Sequence, residues 1–221
     1  LTFSILNQKP KKIFVVEKDN ELALQLKNNF KDQITIFNED ILKFDEKSIS
    51  KEKISVFGNL PYNISTEILS KWIIGINDTF WFDHLILMFQ KEVADRIMAK
   101  PNTKNYGRIA VLSNFRLDVV DNFKISKKCF FPIPNVDSKV IIFKPKLKID
   151  YKIKNIKNLE KVTQILFSGK RKMINKAFSK LFKDYRKTAE FLNIDLKKRP
   201  SELLCEDYYK MTEHYEKSIR L

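Results

Sequence analysis

The chain has 221 residues and carries 42 lysines and arginines against 27 aspartates and glutamates, which gives a formal net charge of +15. This length holds one or two domains with a buried core, and the basic excess favours a polyanionic partner, with nucleic acid ahead of an anionic membrane. The two cysteines, Cys129 and Cys205, argue against a disulfide framework and fit a reducing cytosol, and no apolar stretch is long enough to span a membrane, so we expect a cytoplasmic protein without a membrane partner.

Strand and helix patterns alternate along the chain as far as Pro145. The predicted strands cover residues 12–17, 34–37, 54–57, 82–88, 117–123 and 138–144. The predicted helices cover residues 19–30, 65–74, 91–99 and 106–115, with Ser65 as a cap and Gly75 as a stop. This alternation predicts an α/β fold in which a mostly parallel sheet carries helices on both faces and the last two strands form an antiparallel end.

The pattern changes after Pro145, since only helical spacing is present from Asn155 onwards. We therefore predict an α/β domain at residues 1–145 and a small all-helical domain at residues 146–221. The connection between them is strongly basic, with lysines at positions 144, 146, 148, 152 and 154.

Two carboxylates stand near the ends of the first two predicted strands. Glu17 closes the first strand, where a carboxylate can accept hydrogen bonds from both hydroxyls of a ribose. Asp40 lies just beyond the second strand, where the same reasoning places it near the adenine amine of an adenosyl group. The alternatives are a solvated strand-end charge for Glu17 and an N-cap or loop acid for Asp40, with Asp45 as a less well placed competitor.

The turn after the third strand carries the motif Asn59-Leu60-Pro61-Tyr62. The carboxyl end of a buried strand is where open α/β sheets bind ligands. The side-chain oxygen of Asn59 and the carbonyl of Leu60 can accept the two hydrogens of an exocyclic amine on a nucleobase, which pulls the nitrogen towards a more reactive, pyramidal geometry. Pro61 stiffens the turn, and Tyr62 offers a flat face on which the base can stack. An ordinary strand-to-helix turn uses the same residue types.

A second aromatic feature lies in residues 129–134, Cys-Phe-Phe-Pro-Ile-Pro. The two prolines stiffen this loop, so an aromatic side chain held there could clamp a flipped base against Tyr62. The alternative is that both phenylalanines pack into the core.

A basic stretch is predicted to form a helix over residues 170–183. Its cationic residues are Lys170, Arg171, Lys172, Lys176, Lys180 and Lys183. A basic helix that faces solvent suits the phosphates of folded RNA, although a merely solvated amphipathic helix has the same pattern. The two histidines and two cysteines are scattered, so no metal site is predicted.

Together these motifs resemble those of the ribosomal RNA adenine N6,N6-dimethyltransferases. The resemblance starts with residues 59–65 (Asn-Leu-Pro-Tyr-Asn-Ile-Ser) and continues through residues 90–96 (Gln-Lys-Glu-Val-Ala-Asp-Arg), 106–108 (Tyr-Gly-Arg) and 130–138 (Phe-Phe-Pro-Ile-Pro-Asn-Val-Asp-Ser). Lys170-Arg171-Lys172 with Asn175 matches the family's basic C-terminal helix. The match is collinear from Leu1 to about Tyr215. Leu60 and the Tyr-Gly-Arg segment favour the small-subunit branch over the large-subunit branch.

The resemblance implies a Rossmann-like, S-adenosylmethionine-dependent methyltransferase domain followed by a small helical RNA-binding domain. It implies that Glu17, Asp40 and Asn59 bind S-adenosyl-L-methionine and that Phe130, rather than Phe131, clamps the base. The implied reaction transfers two methyl groups to N6 of each of two adjacent adenines near the 3′ end of small-subunit (16S) rRNA. We therefore expect this RNA, within an immature ribosomal subunit, as the partner of a monomeric protein.

Other functions stay open. The chain could be a large-subunit rRNA or DNA adenine N6-methyltransferase, since these can share a similar polar-Pro-aromatic turn. It could also be a non-catalytic RNA-binding assembly factor for the ribosome. The helical C-terminus and the Phe130 loop argue against DNA, and the presence of Glu17, Asp40, Asn59 and Tyr62 argues against a loss of catalysis.

One departure from the family concerns glycine. Such enzymes carry a Gly-rich loop after the first strand, which lets the backbone approach the cofactor closely. The glycines of this chain, Gly58, Gly75, Gly107 and Gly169, form no such loop. In the family the loop is typically followed by Leu-Thr, which are the first two residues here. We therefore expect that the N-terminal segment, the first strand and the glycine loop are missing from this chain.

Overall fold

A computed structural model describes residues 1–76 and 79–219 of the chain. The strands are β1 Phe14–Val16, β2 Thr35–Phe37, β3 Ile54–Asn59, β4 Phe82–Gln90, β5 Leu117–Ile125 and β6 Ser138–Pro145. The helices are α1 Thr2–Leu6, α2 Asn20–Phe30, α3 Ser65–Ile74, α4 Lys91–Ile97, α5 Arg108–Arg116, α6 Ile156–Phe167, α7 Asn175–Phe178, α8 Tyr185–Leu192 and α9 Cys205–Ser218. Short 3₁₀ turns cover Lys31–Gln33, Glu46–Ser48, Lys127–Cys129 and Pro200–Glu202.

The chain divides into two compact units, Leu1–Lys53 and Ile54–Leu221. In the first unit β1 and β2 pair in parallel, with Val15 opposite Ile36. Helix α2 begins where the Asp19 carboxylate accepts hydrogen bonds from two backbone N–H groups of its first turn, which would otherwise lack partners. Both strands are only partly buried.

The second unit contains a four-stranded sheet in the order β3-β4-β6-β5. Strands β3 and β4 are parallel, whereas β6 runs antiparallel to both β4 and β5, which confirms the predicted antiparallel end. Asn59 lies opposite Met88, while Gln90 and Ile125 both lie opposite Ser138. The carboxyl ends of β3, β4 and β5 therefore lie beside the start of β6, at one end of the sheet. This end, where the strands terminate, is called the sheet edge below.

Helices cover this sheet because their apolar residues recur at helical spacing. Helix α3 buries Ile68, Leu69, Trp72 and Ile73, and α5 buries Ala110, Val111, Leu112 and Phe115. Helix α5 begins at Arg108 rather than at the predicted Tyr106, whose side chain is fully buried and whose hydroxyl lies 3.3 Å from Cys205 Sγ. Ser65 is the first residue of α3 and not its cap, because its hydroxyl donates to the carbonyl of Tyr62.

The C-terminal helices pack on the sheet region through buried polar contacts. The Tyr209 hydroxyl on α9 donates to the carbonyl of Val111 on α5 at 3.0 Å. The buried carboxylate of Glu216 accepts hydrogen bonds from the backbone N–H groups of Lys154 and Asn155, which fastens the end of α9 to the start of α6. The domain boundary at residues 145–146 stays a prediction, since these helices and the sheet belong to the same compact unit.

The predicted basic helix over residues 170–183 is wrong as a continuous element. Lys170, Arg171 and Lys172 lie in a turn between α6 and α7, and α7 is only four residues long. The N–H of Ile174 donates to the carbonyl of Lys198 at 2.9 Å. A continuous helix would need that same N–H for the carbonyl four residues earlier, so the long-range bond interrupts the helix.

Among the described residues, no helix combines the length and the apolar character that a membrane crossing requires.

Candidate functional site

The last residue of β3 and the residue after it present two polar acceptors. Asn59 is exposed, and Leu60 is buried, with 9% of the residue accessible. Within residues 1–76 and 79–219, no group hydrogen-bonds to the side-chain amide of Asn59 or to the carbonyl of Leu60. Both acceptors are therefore available to a ligand at the carboxyl end of the sheet.

The absence of a side chain at Gly58 leaves room for the side chain of Leu60. A Cβ atom at Gly58 would lie 2.9 Å from Leu60 Cδ2 and 2.8 Å from Leu87 Cδ2, closer than carbon atoms normally approach. The glycine therefore lets two leucine side chains close over the end of β3. This packing fixes the backbone that carries the Leu60 carbonyl.

The turn that follows is held by its own hydrogen bonds. The carbonyl of the exposed Pro61 accepts from the N–H of Ile64 at 3.2 Å, and the Ser65 hydroxyl donates to the carbonyl of Tyr62 at 3.1 Å. The half-buried Tyr62 has its hydroxyl 2.6 Å from Oγ of Ser138, the fully buried first residue of β6. The ring is thus tied to the neighbouring part of the sheet edge.

The segment between β5 and β6 carries Phe130 and lies at the same edge. Phe130 is half-buried in an extended backbone conformation (φ −117°, ψ 150°), whereas Phe131 is 100% exposed. One residue, Asp137, fixes the base of this segment. Its carboxylate accepts from the N–H of Lys127 at 3.0 Å, and its carbonyl accepts from the N–H of Lys91 at 2.9 Å.

A charged cluster supports the edge from behind. Asp95 on α4 accepts from Lys139 Nζ at 2.6 Å and from Lys91 Nζ at 2.8 Å. The hydrogen bonds from Lys139 and then Lys91 hold the pKa of the Asp95 carboxyl below its ordinary value. The Asp95 carboxylate likewise raises the pKa of Lys91. Because Lys139 lies on β6, the cluster ties α4 to the strand that starts at Ser138.

The two predicted cofactor-binding carboxylates belong to the other unit. Glu17 directly follows β1, and its Oε1 accepts from the N–H of Asp19 at 2.8 Å. Its Oε2 has no hydrogen-bond partner within the described part of the chain. Asp40 follows β2 and pairs with Lys18 at 2.8 Å, and the hydrogen bonds from Lys18 and from the N–H of Leu42 lower its pKa.

These carboxylates suit an adenosyl group chemically. A carboxylate without a proton is a hydrogen-bond acceptor only, as the hydroxyls of a ribose and the amine of an adenine require. The Lys18 side chain is 74% exposed, so it can move aside while Asp40 keeps its backbone partner. The residues present at the ends of β1 and β2 therefore fit the adenosyl part of S-adenosylmethionine.

The basic residues predicted to bind RNA are all exposed. Lys170, Arg171 and Lys172 occupy the turn after α6, and Lys176 lies on α7. Lys170 Nζ donates to the carbonyl of Lys104 at 2.8 Å, which joins this turn to the loop before α5. The cations are thus presented on a turn rather than along a helix face.

Sequence reasoning missed the residues that hold the site in place. Ser138 and Asp137 belong to the motif at residues 130–138, but no sequence pattern indicates that Ser138 hydrogen-bonds to Tyr62 and Asp137 to Lys127. Lys139 follows them in a strand, where it shares one face with the buried Ile141 and Phe143, and this spacing is the signal of an inward-facing charge. The structure records no cluster of metal-binding side chains among the described residues.

Comparison with known proteins relates the whole chain to one family. The family model described as ribosomal RNA adenine dimethylase matches residues 1–217. Ribosomal RNA small subunit methyltransferase A from Pelagibacter ubique is 52% identical over 98% of this chain and 82% of that protein. The protein of the same name from the Wolbachia of Culex pipiens is 37% identical over 94% of this chain and 78% of its own length.

Solved structures show the same fold at low sequence identity. A dimethyladenosine transferase from Plasmodium falciparum superposes with a TM-score of 0.69 at 21% identity, covering 94% of this chain and 82% of that one. The 23S rRNA methyltransferase ErmE superposes with a TM-score of 0.64 at 17% identity, covering 93% of this chain and 82% of that chain. These likenesses confirm the predicted Rossmann-like α/β fold with a helical C-terminal region.

Proposed function

Because the chain belongs to the ribosomal RNA adenine dimethylase family, we propose that it is an S-adenosylmethionine-dependent enzyme that dimethylates N6 of adenines in small-subunit ribosomal RNA. The names of its relatives support the small subunit as the source of that RNA. The target is two adjacent adenines near the 3′ end of 16S rRNA. The two other classes, a DNA or large-subunit methyltransferase and a non-catalytic assembly factor, are not favoured.

The observation that carries this proposal is the pair of free acceptors at the end of β3. An exocyclic amine has two hydrogens to donate, and the Asn59 side-chain oxygen and the Leu60 carbonyl are adjacent acceptors for which the described residues supply no donor. The amine is a poor nucleophile because its lone pair is delocalised into the ring. Holding both hydrogens favours a pyramidal nitrogen whose lone pair is available, which lowers the barrier by positioning and hydrogen bonding.

S-adenosylmethionine, when bound, supplies an electrophilic methyl group on its sulfonium. The side chains of Glu17, Asp40 and Asn59 are proposed to hold this donor, the first two through the ribose and the adenine. Asn59 and Leu60 orient the accepting amine, and Pro61 keeps their backbone in place. No strong general base is required, because a protonated arylamine is a strong acid that releases its proton to water.

Two methyl transfers to one nitrogen constrain the same residues. After the first transfer the amine keeps a single hydrogen, so Asn59 and Leu60 share one donor instead of two. The second transfer then depends more on how the base is held through its ring. We propose that Tyr62 and Phe130 supply that hold by stacking on the flipped adenine.

Affinity for the RNA is proposed to come from the exposed cations of the C-terminal region. Lys170, Arg171, Lys172 and Lys176 suit phosphates of a folded RNA, where backbone contacts position the protein and carry little sequence information. The partner would be an immature ribosomal subunit, since only an unfinished subunit exposes adenines that await modification. We further propose that the protein acts as a monomer in the cytoplasm and without a metal ion.

The test is methylation of three purified substrates with a labelled methyl donor: small subunits that lack the modification, large-subunit RNA and duplex DNA. The expected product is N6,N6-dimethyladenosine in small-subunit RNA alone. Methyl label in large-subunit RNA or in DNA would show that this nucleic acid, and not small-subunit RNA alone, is a substrate. Tight binding to small subunits without any label would favour an assembly factor instead.

A further inference from the structure

The loop between β5 and β6 carries an apolar tip that faces solvent. Phe131 is 100% exposed, Ile133 is 61% exposed and Val136 is 42% exposed, and the intervening Pro132 is exposed as well. Large apolar side chains normally lose most of their contact with water on folding. Contiguous exposed apolar surface is a feature of sites that contact a partner, and these three residues lie within six positions of one loop.

The tip is distinct from the proposed base clamp. Phe130 has an extended backbone, and successive side chains of an extended segment point to opposite sides. Phe130 is half-buried, whereas Phe131 is 100% exposed. The two adjacent rings therefore cannot serve the same face of one base.

The tip is held rigidly from its base. Asp137 accepts from the N–H of Lys127, and the 3₁₀ turn there is capped by the Ser126 hydroxyl, which accepts from the N–H of Lys128. Pro132 and Pro134 restrict the backbone on both sides of Ile133. A pre-organised loop loses little conformational entropy when it binds, so its exposed ring can contribute most of its contact energy to affinity.

Position and charge together point to the occupant. The loop ends at Ser138, which bonds to Tyr62, so the tip projects from the sheet edge that carries the proposed base pocket. Exposed lysines at 124, 127 and 128 flank it. A second copy of a chain with net charge +15 would be repelled by this surface, whereas a nucleic acid would be attracted.

We propose that Phe131 is an RNA-stacking residue that contacts a nucleotide next to the target adenine. This inference rests on the proposed function, because it takes the target adenine as bound at Asn59. Apolar side chains that insert beside bases compensate for the stacking that is lost when a base leaves its helix. Phe131 would fill that gap and so favour the flipped state, while Phe130 and Tyr62 hold the flipped base itself.

The experiment compares Phe131→Ala, Phe131→Trp and Phe131→Leu on immature small subunits. Phe131→Ala should raise the KM for subunits about tenfold, as loss of one base stack does, with kcat within about twofold. Phe131→Trp should behave like the wild type, because stacking needs a flat ring, and Phe131→Leu should resemble Phe131→Ala. Phe191→Ala, which removes another exposed ring (76% accessible) on α8, is the matched control and should change nothing.

A second measurement does not depend on catalysis. In the background of Asn59→Ala, binding should protect the bases that flank the target from chemical probes, and adding Phe131→Ala should abolish that protection. Unchanged protection and an unchanged KM would overturn the proposal, as would full activity of Phe131→Leu, which would indicate a protein contact. Loss of binding to anionic phospholipid vesicles in Phe131→Ala, with protection intact, would assign the tip to a membrane. Absence of methylation by the wild type would instead reject the proposed function, while protection would still report on Phe131.

Discussion

The hydroxyl of Tyr62 lies 2.6 Å from Oγ of Ser138, which joins the turn after β3 to the first residue of β6. Ser138 is fully buried and Tyr62 is half-buried, so the serine partner of this bond is shielded from competing water and the tyrosine is only partly shielded. The bond fixes the plane of an aromatic ring that is otherwise free to rotate about its side-chain bonds. A stacking platform with a fixed plane holds a base in one orientation.

Removing either partner should therefore impair methyl transfer while leaving the ring in place. Tyr62→Phe and Ser138→Ala are each expected to lower kcat/KM by about 2- to 10-fold, the usual value of one hydrogen bond. The kcat/KM of the double variant should be no lower than that of the less active single variant, because the two substitutions remove the same hydrogen bond. Ser113→Ala is the control, since the buried Ser113 hydroxyl has no partner among the described residues. Additive losses in the double variant would contradict the coupling.

Asn59→Ala should abolish methyl transfer and preserve RNA binding. Asn59 offers one of the two acceptors for the reacting amine, and loss of such a group lowers kcat by about 100-fold or more. Phosphate contacts supply most of the affinity for RNA, so binding to small subunits should be unchanged. Asn63→Ala, four residues along in the same turn region and also exposed, should keep its activity. Near-normal turnover by Asn59→Ala would refute the assigned role.

The cations of the turn after α6 should dominate docking on RNA. Changing Lys170, Arg171 and Lys172 together to Ala should weaken binding and reduce the slope of log affinity against log salt by about one unit for each lost phosphate contact. A matched triple change of Lys9, Lys11 and Lys12 to Ala removes three positive charges from an exposed segment of the other unit and should leave the slope nearly unchanged. Filter binding at several salt concentrations measures both. Equal slopes for the wild type and the first triple variant would show that these charges only solvate the turn.

The Asp95–Lys139 pair predicts how stability depends on pH. Asp95→Asn should lower the free energy of unfolding by about 1–2 kcal/mol near pH 7, because it leaves the nearly buried Lys139 ammonium without its anion. The pKa of Asp95 is depressed in the folded state, so its stabilisation is present above the ordinary value of 3.8 and is lost as the pH falls through the folded pKa.

Denaturant unfolding at several pH values tests this sign. The difference between wild type and Asp95→Asn should be constant near neutral pH and should narrow below about pH 4. Lys91→Met is the comparison, and its effect should be much smaller because the Lys91 side chain is 42% exposed. A difference that stays the same from neutral to acidic pH would contradict the depressed pKa.

Gly58→Ala should damage the site through packing alone. The new Cβ must displace the side chains of Leu60 and Leu87, and overpacking of this kind destabilises by about 1–3 kcal/mol. Because Leu60 also carries an acceptor for the amine, kcat should fall more than the affinity for RNA. Gly169→Ala is the control, since its nearest neighbour would lie at an ordinary 3.6 Å. An unaltered kcat in a stably folded Gly58→Ala protein would show that the packing of Leu60 does not affect catalysis.

Much of the fold follows from local pattern. The helix α2 could be predicted because Asp19 caps it and its sequence has no helix breaker, and β3 could be predicted from an apolar run that ends in Asn59. The residues Asn59, Leu60 and Tyr62 are recognisable because their chemistry is local to one turn. Their backbone positions depend on neighbours close in sequence, which a pattern can record.

The rest depends on contacts between distant segments. The bond from Ile174 to Lys198 breaks the predicted basic helix, although residues 170–183 have helical spacing. The bond between Tyr62 and Ser138 joins positions 76 residues apart, and no periodicity reports it. Such contacts override local propensity because a satisfied buried polar group outweighs the small preference of any single residue for a helix.

The double use of Asp137 separates what the loop must keep from what it can change. Its carboxylate and carbonyl hold Lys127 and Lys91 at the base, while Phe131 is 100% exposed and Ile133 is 61% exposed, so few contacts constrain their size. Substitutions at the tip should therefore accumulate without loss of folding, and substitutions at the base should not. In evolution, the tip residues can therefore vary while the base residues stay fixed. Such variation would change which nucleotides next to the target the enzyme accepts, without altering the site where the methyl group is transferred.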